Sequence, residues 1–288
     1  MYNLRYHLAS LIAVFLALTV GLVLGTVITE RGIITDQSSA LVEDLQRQFG
    51  DLRAENSALR TESDRDSAFA SAVVPHLIAG SLEGSSTAIV TGAGRIDGQD
   101  AVRSAVEAAG SDVVSIVVTR EAAGLGEDVP EGLDGLLAAA GETPAGPGPD
   151  LIGQVAVVLS REWREPGVRP LTTLLADAGL ILVEGLDEGR AITGMVVMPS
   201  AGNSCDPLAL ALAGEARAQG DAAVAAESTA GGASAVGACA EQGMSAVDHV
   251  DTPQGAFSLV WLLAERASGY YGAGEGAEAY FPPMTRGD

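Results

Sequence analysis

The sequence predicts an α/β protein in three parts: an N-terminal transmembrane helix, a parallel dimeric coiled coil, and an α/β domain with a mainly parallel sheet. Three observations carry this reading. Leu8–Ile28 contains no charged side chain. From Val42 to Leu59, apolar residues recur at heptad spacing. Beyond residue 76, short β-branched runs alternate with Ala-rich stretches, the alternation that builds α/β folds.

The apolar run Leu8–Ile28 is 21 residues long, with only Ser10, Thr19 and Thr26 as mild polar interruptions. At 1.5 Å per residue it spans about 30 Å, the thickness of a bilayer core. A cleavable signal peptide has a shorter apolar stretch, about 7–15 residues, and a small-x-small cleavage site. Gly25-Thr26-Val27 is a poor one, so the run reads as an uncleaved anchor in the bilayer. Arg5 precedes it, while Glu30 and Arg31 behind it nearly cancel. The positive-inside rule then puts the N-terminus in the cytoplasm and the bulk of this single-pass chain outside the cell membrane. A formal net charge of −22 does not oppose translocation. It argues against nucleic acid and against electrostatic binding to anionic lipid heads.

Val42, Phe49, Asn56 and Ser63 recur every seven residues, with Leu45, Leu52 and Leu59 three behind the first three. These are the a and d positions of a left-handed coiled coil. Gln46, Arg53 and Arg60 fall at e, and Gln48, Glu55 and Glu62 at g. In a parallel dimer Glu55 meets the partner's Arg60, and Gln48 meets its Arg53. Asn56 at an a position costs stability and favours a dimer in one register. Val42, Leu45, Phe49, Leu52, Asn56 and Leu59 are thus the expected dimer seam. Gly50 lowers helix propensity, the pattern weakens at Ser63 and Asp66, and Pro75 ends the rod. A helix from Ile34 to Val74 reaches about 60 Å.

In the remaining chain, Thr87–Val90 reads as a strand, Gly92-Ala93-Gly94 as a turn, Asp97–Ala109 as a helix and Val113–Val118 as the next strand. This βαβ unit favours parallel pairing. After the Gly/Pro-rich loop Gly141–Pro149, the expected elements are strand Val155–Leu159, helix Arg169–Ala178, and strands Ile181–Val183 and Met195–Met198. Helix Pro207–Gln219, strand Ala222–Ala226, helix Ala233–Gln242, strand Ala246–Val250 and helix Pro253–Ala267 follow. Asp206 and Thr252 each sit ahead of a proline as expected helix caps. The whole describes a Rossmann- or flavodoxin-like domain. The expected divisions are an anchor over 1–29, a coiled coil over 30–75, an α/β domain over 76–268 and a tail over 269–288.

Chemistry is sparse in these residues. Two glycines in a βα turn at Gly92 and Gly94 are half of a dinucleotide loop. Ser228-Thr229-Ala230-Gly231-Gly232, between a strand and a helix, is the better anion cradle; a plain turn explains both. Ser/His/Asp catalysis needs a histidine base; of the three histidines, only His249 lies in the domain's strands, sharing a face with Val247 and Asp251. No Gly-x-Ser-x-Gly elbow is present, and the chain reads as non-enzymatic. Soft ligands suit copper(I), but Met195, Met198, Cys205, Cys239, Met244 and Met284 have no binding spacing, and Met195 and Met198 point to opposite faces of a strand. The two cysteines, Cys205 and Cys239, are open to three readings: a disulfide, two buried thiols, or weak metal ligands.

Three motifs carry a resemblance. Leu4-Arg5-Tyr6-His7 is followed by Ser10-Leu11-Ile12-Ala13-Val14-Phe15-Leu16-Ala17-Leu18, with Gly21 and Gly25 behind. Val247-Asp248-His249-Val250-Asp251-Thr252-Pro253-Gln254-Gly255 and Gly269-Tyr270-Tyr271-Gly272 lie near the other end. With these, and with its order of anchor, coiled coil and α/β domain, the chain resembles the actinobacterial copper-transporter family over its whole length. The resemblance implies an envelope protein linked to copper efflux or tolerance, and copper enters as a cofactor only through it. The family also includes proteins implicated in cell-envelope assembly that act with a membrane partner to control wall hydrolysis. That implies a second role: a non-catalytic dimeric scaffold or regulator working through an envelope protein partner.

Overall fold

The computed structural model describes residues 4–30, 33–92, 94, 97–119, 125, 129–200, 205–229 and 235–283. The chain divides into two compact units, Met1–Arg65 and Asp66–Asp288.

Helix α1 runs Leu4–Glu30. Its segment Arg5–Val27 is long and apolar enough to cross a membrane and is exposed all round. A helix suits hydrocarbon because it pairs its own backbone groups. The threonine hydroxyls pair too: Thr19 Oγ1 donates to Phe15 O at 2.6 Å and Thr26 Oγ1 to Val23 O at 3.0 Å.

Helix α2 is a 46-residue segment, Ile33–Ile78, about 69 Å long at 1.5 Å per residue. Val42, Leu45, Phe49, Leu52 and Leu59 form an exposed apolar row along it. The sequence puts the end of the rod at Pro75, but the helix carries Pro75 inside and runs on to Ile78. A proline in a helix interior costs about 3 kcal/mol. Val74 and Ile78, however, are buried in the core of the second unit, a gain of about 1.5–3 kcal/mol each. Ala79 N also still donates to Pro75 O at 3.1 Å.

The second unit is built on seven strands: β1 Ser86–Thr91, β2 Asp112–Val118, β3 Ile181–Glu184, β4 Gly194–Met198, β5 Ala222–Ala226, β6 Ser245–Val247 and β7 Tyr270–Tyr271. They form one sheet in the order β3-β2-β1-β4-β5-β6-β7. Every pairing is parallel except β2 with β3. Both halves of the α/β region therefore share a single sheet. Successive side chains of a strand go to opposite faces, and each face has a core. Ala88 and Val90 of β1 enter one, Ile89 the other; Met195 and Val197 of β4 enter the first, Val196 and Met198 the second.

Helices α4 Leu133–Ala139, α5 Pro149–Arg164, α6 Pro170–Asp177, α7 Pro207–Ala218 and α8 Ala235–Glu241 contribute to the first core. The end of α2, α3 Gln99–Ala108 and α9 Pro253–Glu265 contribute to the second.

Three local expectations are corrected, and two elements are unanticipated. Val155–Leu159, expected as a strand, lies inside α5. Leu151, Ile152, Val155, Ala156, Val158, Leu159 and Trp163 are all buried there, and their spacing is that of a helix face rather than of a strand. The β-branched run is too short to decide the period alone. Helix α4 and strand β7 have no counterpart in the sequence reading. The strand expected over Ala246–Val250 stops at Val247, because Asp248 turns its carboxylate to other partners. Of the two expected caps, Thr252 Oγ1 accepts from Gly255 N at 3.1 Å. Asp206 makes no cap bond, and its Oδ2 accepts from Ser200 N at 2.7 Å instead.

Leu259 on α9 is fully buried in the second core. Leu259→Ala is expected to cost about 2–5 kcal/mol, read from urea unfolding. A loss under about 1 kcal/mol would mean that α9 does not pack against the sheet as described.

Candidate functional site

With β1 between β2 and β4, the topological switch point lies beyond the C-terminal ends of β1 and β4, where open α/β sheets bind ligands. Here the chain itself closes in on that point. Gly92 N donates to Met198 O at 2.8 Å. A Cβ on Gly92 would lie 2.4 Å from Ser200 N and 2.5 Å from Asp206 Oδ2. This glycine makes room for the neighbouring loop and its carboxylate, a poor setting for a phosphate. Ala93, at the centre of the expected turn, lies outside the described residues.

The second candidate, the Ser228–Gly232 cradle, is described only at Ser228 and Thr229; residues 230–232 lie outside. Thr229 N donates to Asp251 Oδ1 at 2.8 Å and Thr229 Oγ1 to Asp251 Oδ2 at 2.5 Å. A carboxylate of the chain takes the donors an anion would need.

The polar centre of the second unit is Asp248 with His249, just past β6. Tyr270 Oη donates to Asp248 Oδ2 at 2.8 Å, Gly274 N to the same oxygen at 2.6 Å and Ala273 N to Oδ1 at 3.0 Å. His249 Nδ1 lies 3.1 Å from Oδ1. Burial alone would raise the carboxyl's pKa. The hydrogen bonds from His249, Tyr270, Gly274 and Ala273 overcome this and hold it at about 2. A Cβ on Gly272 would fall 1.8 Å from Asp248 Oδ1, so the tail needs glycine here to pass the carboxylate.

His249 is 1% exposed, and its ring lies 4.6 Å from that of Tyr280. The Nδ1 side of the ring faces the Asp248 carboxylate. Among the described residues Nε2 has no hydrogen-bond partner. His249 does not stand on a strand face beside Val247 and Asp251 as expected, because β6 ends before it. Glu227, just past β5, accepts from Ala235 N through its Oε2 at 3.1 Å.

Cys205 and Cys239 are joined by a disulfide, with Cα atoms 5.1 Å apart and a sequence separation of 34. The bond ties the loop ahead of α7 to α8. In this form neither sulfur is the thiolate that a soft metal needs. Met195 and Met198 are buried in opposite cores, and Met244 shares the first core with Met195; Met284 lies outside the described residues. Among the described residues no group of three or more His, Cys, Asp or Glu side chains could hold a metal ion. The described side chains therefore do not fit a resident copper centre.

The sequence reading named His249 but missed Asp248, the group that organises the site. The signal was there: an acid between valines in Val247-Asp248-His249-Val250, and a Gly-Tyr-Tyr-Gly stretch with no period of its own. The structure brings those two motifs together.

Against known proteins, the family model described as "Copper transport outer membrane protein, MctB" matches residues 1–282. No curated protein matches the chain.

Two outcomes are expected at this centre. Because the folded pKa of Asp248 lies below its ordinary value of 3.8, its contribution to stability is complete above about pH 4 and fades as pH falls towards 2. Asp248→Asn should cost about 3 kcal/mol at neutral pH and flatten that acid limb in urea titrations; an unchanged limb would count against the assignment. Reducing the disulfide should cost about 4 kcal/mol, the loop-closure value for 34 residues. A reductant-insensitive midpoint, with both thiols then open to alkylation, would show that the bond does not constrain the fold.

Proposed function

We propose that this chain, which belongs to the MctB family of copper transport outer membrane proteins, is a membrane-anchored, dimeric envelope protein that supports copper efflux and tolerance without itself forming the copper path. The observation that carries this reading is the chemistry of α1. Between Leu8 and Val27 it has no ionisable side chain, and ion paths through membranes are lined by polar or ionisable groups. Among the described residues it is the one helix long and apolar enough to cross a bilayer. Copper is thus cargo of a system in which this chain takes part, and its α/β domain works without catalysis.

Three further observations support the arrangement. The Cys205–Cys239 bond suits an oxidising compartment, and so a domain outside the cytoplasm. Arg5 ahead of the span favours a cytoplasmic N-terminus. The exposed row Val42, Leu45, Phe49, Leu52 and Leu59, with Asn56 in the same frame, is the seam of a parallel two-stranded coiled coil.

A second reading is favoured by the poor fit of the described side chains to copper: a non-catalytic scaffold or regulator of envelope assembly and wall hydrolysis, acting through a protein partner. Both readings need the dimer and differ in copper.

Titrating the disulfide-bonded full-length chain in detergent with copper(I) against a competing chelator is expected to give no micromolar binding. Tight binding that survives Cys205→Ser/Cys239→Ser would overturn the proposal. Leu52→Asp is expected to yield a monomer with its α/β domain still folded by near-ultraviolet circular dichroism. In a strain lacking the wild-type protein, that variant should not restore copper tolerance. Full restoration by a proven monomer would remove the dimer from the mechanism, while normal tolerance in the null strain would favour the envelope-assembly reading.

A further inference from the structure

Within the second unit, the end of α2 has two distinct faces. Ser71, Val74, Pro75 and Ile78 line a groove of about 270 Å³ together with Ala105 of α3 and Pro253 of α9. Phe69 stands on the other side, 70% exposed. At 100° per residue, the four groove residues of α2 lie about 140–240° around the helix from Phe69. The ring therefore points away from the groove of its own chain.

The heptad frame of Val42 and Leu45 puts Ala70 and Leu77 at a and Val73 at d. Leu77 is 53% exposed, and Ala70 and Val73 are half-buried. The apolar row thus resumes, in the same phase, after the polar interruption at Ser63 and Asp66. In this frame Phe69 is a g residue and Val74 an e residue. Across a parallel dimer, g faces the e residue five positions on, so Phe69 of one protomer meets the partner's Val74 at the edge of the partner's groove. Successive g–e pairs are complementary in kind: Glu55 with Arg60 is ionic, Glu62 with Ser67 polar, and Phe69 with Val74 apolar. A large exposed aromatic opposite an open apolar groove is the composition of an interface anchor.

We propose that Phe69 of each protomer docks into the groove beside Val74 and Ile78 of a second copy, and that this exchange locks the two α/β domains together. The inference rests on the parallel dimer proposed above and adds its anchor. The groove's occupant is a segment of the same chain, supplied in trans because helix geometry denies it in cis.

The test uses the full-length chain in detergent micelles. p-Benzoylphenylalanine replaces Phe69 in a mixture of 14N- and 15N-labelled chains, and illumination is followed by mass spectrometry. Leu52→Cys, oxidised in parallel, reports the rod dimer independently. The expected result is mixed-isotope cross-links from position 69 to residues 71–78, 101–108 or 250–256. Phe69→Ala should weaken dimerisation at least tenfold in sedimentation equilibrium while Leu52→Cys still cross-links. If Leu52→Cys cross-links but position 69 gives same-chain products, no product or capture of a different protein, the anchor is wrong and the dimer stands. If neither position cross-links two copies, the dimer itself falls and the anchor with it.

Discussion

The second unit depends on a buried carboxylate that the end of β6 cannot satisfy alone. Removing a charge from water costs several kcal/mol unless it is fully hydrogen-bonded. Asp248 recruits its partners from a distant stretch of chain: the Tyr270 hydroxyl and the amides of Ala273 and Gly274, together with the neighbouring His249. Satisfying that charge fixes the C-terminal segment in space. Tyr270 and Tyr271 are thereby held as the seventh strand beside β6, and the ring of Tyr280 lies against His249.

The disulfide acts in the same region of the fold. Cys205 follows β4 and Cys239 lies in the helix after β5, so the bond ties the segment after one strand to the helix after its neighbour. Gly92 lets Ser200 and Asp206 approach β1 so closely that no side chain fits between. Where many doubly wound sheets leave a crevice for a ligand, this one draws its own chain inward. Along α2, by contrast, apolar side chains face solvent. A family linked to copper and a domain with no described metal cluster are reconciled if the protein contributes position and partners rather than ligands.

How legible the fold was followed element length. The candidate span Arg5–Val27 covers 23 predominantly apolar residues, and in the β1–α3–β2 unit two β-branched runs flank a helix with one apolar face, so both were readable. Val155–Leu159 was not: a short β-branched run has the same local composition on a buried helix as on a strand, and only the packing of α5 against its neighbours, chiefly α7, decides between them. Tyr270–Tyr271 was missed because a two-residue strand has no period at all. It exists through its pairing with β6. Pro75 misled for a related reason, since local propensity opposes a helix there while the burial of Val74 and Ile78 outweighs it.

The sequence by itself determined the properties that need no long-range contact: an apolar helix of membrane length, the heptad phase of α2, and the alternation of strands and helices. Each is written in the spacing of neighbouring residues, where helix and strand periods are intrinsic. The tertiary structure decided which distant residues meet: Cys205 with Cys239, Asp248 with Tyr270 and the amides beyond it, and Gly92 with the loop after β4. Those pairings depend on burial and on the demand that every buried charge and backbone group find a partner. That demand is set by the whole packed sheet and has no signature in local sequence.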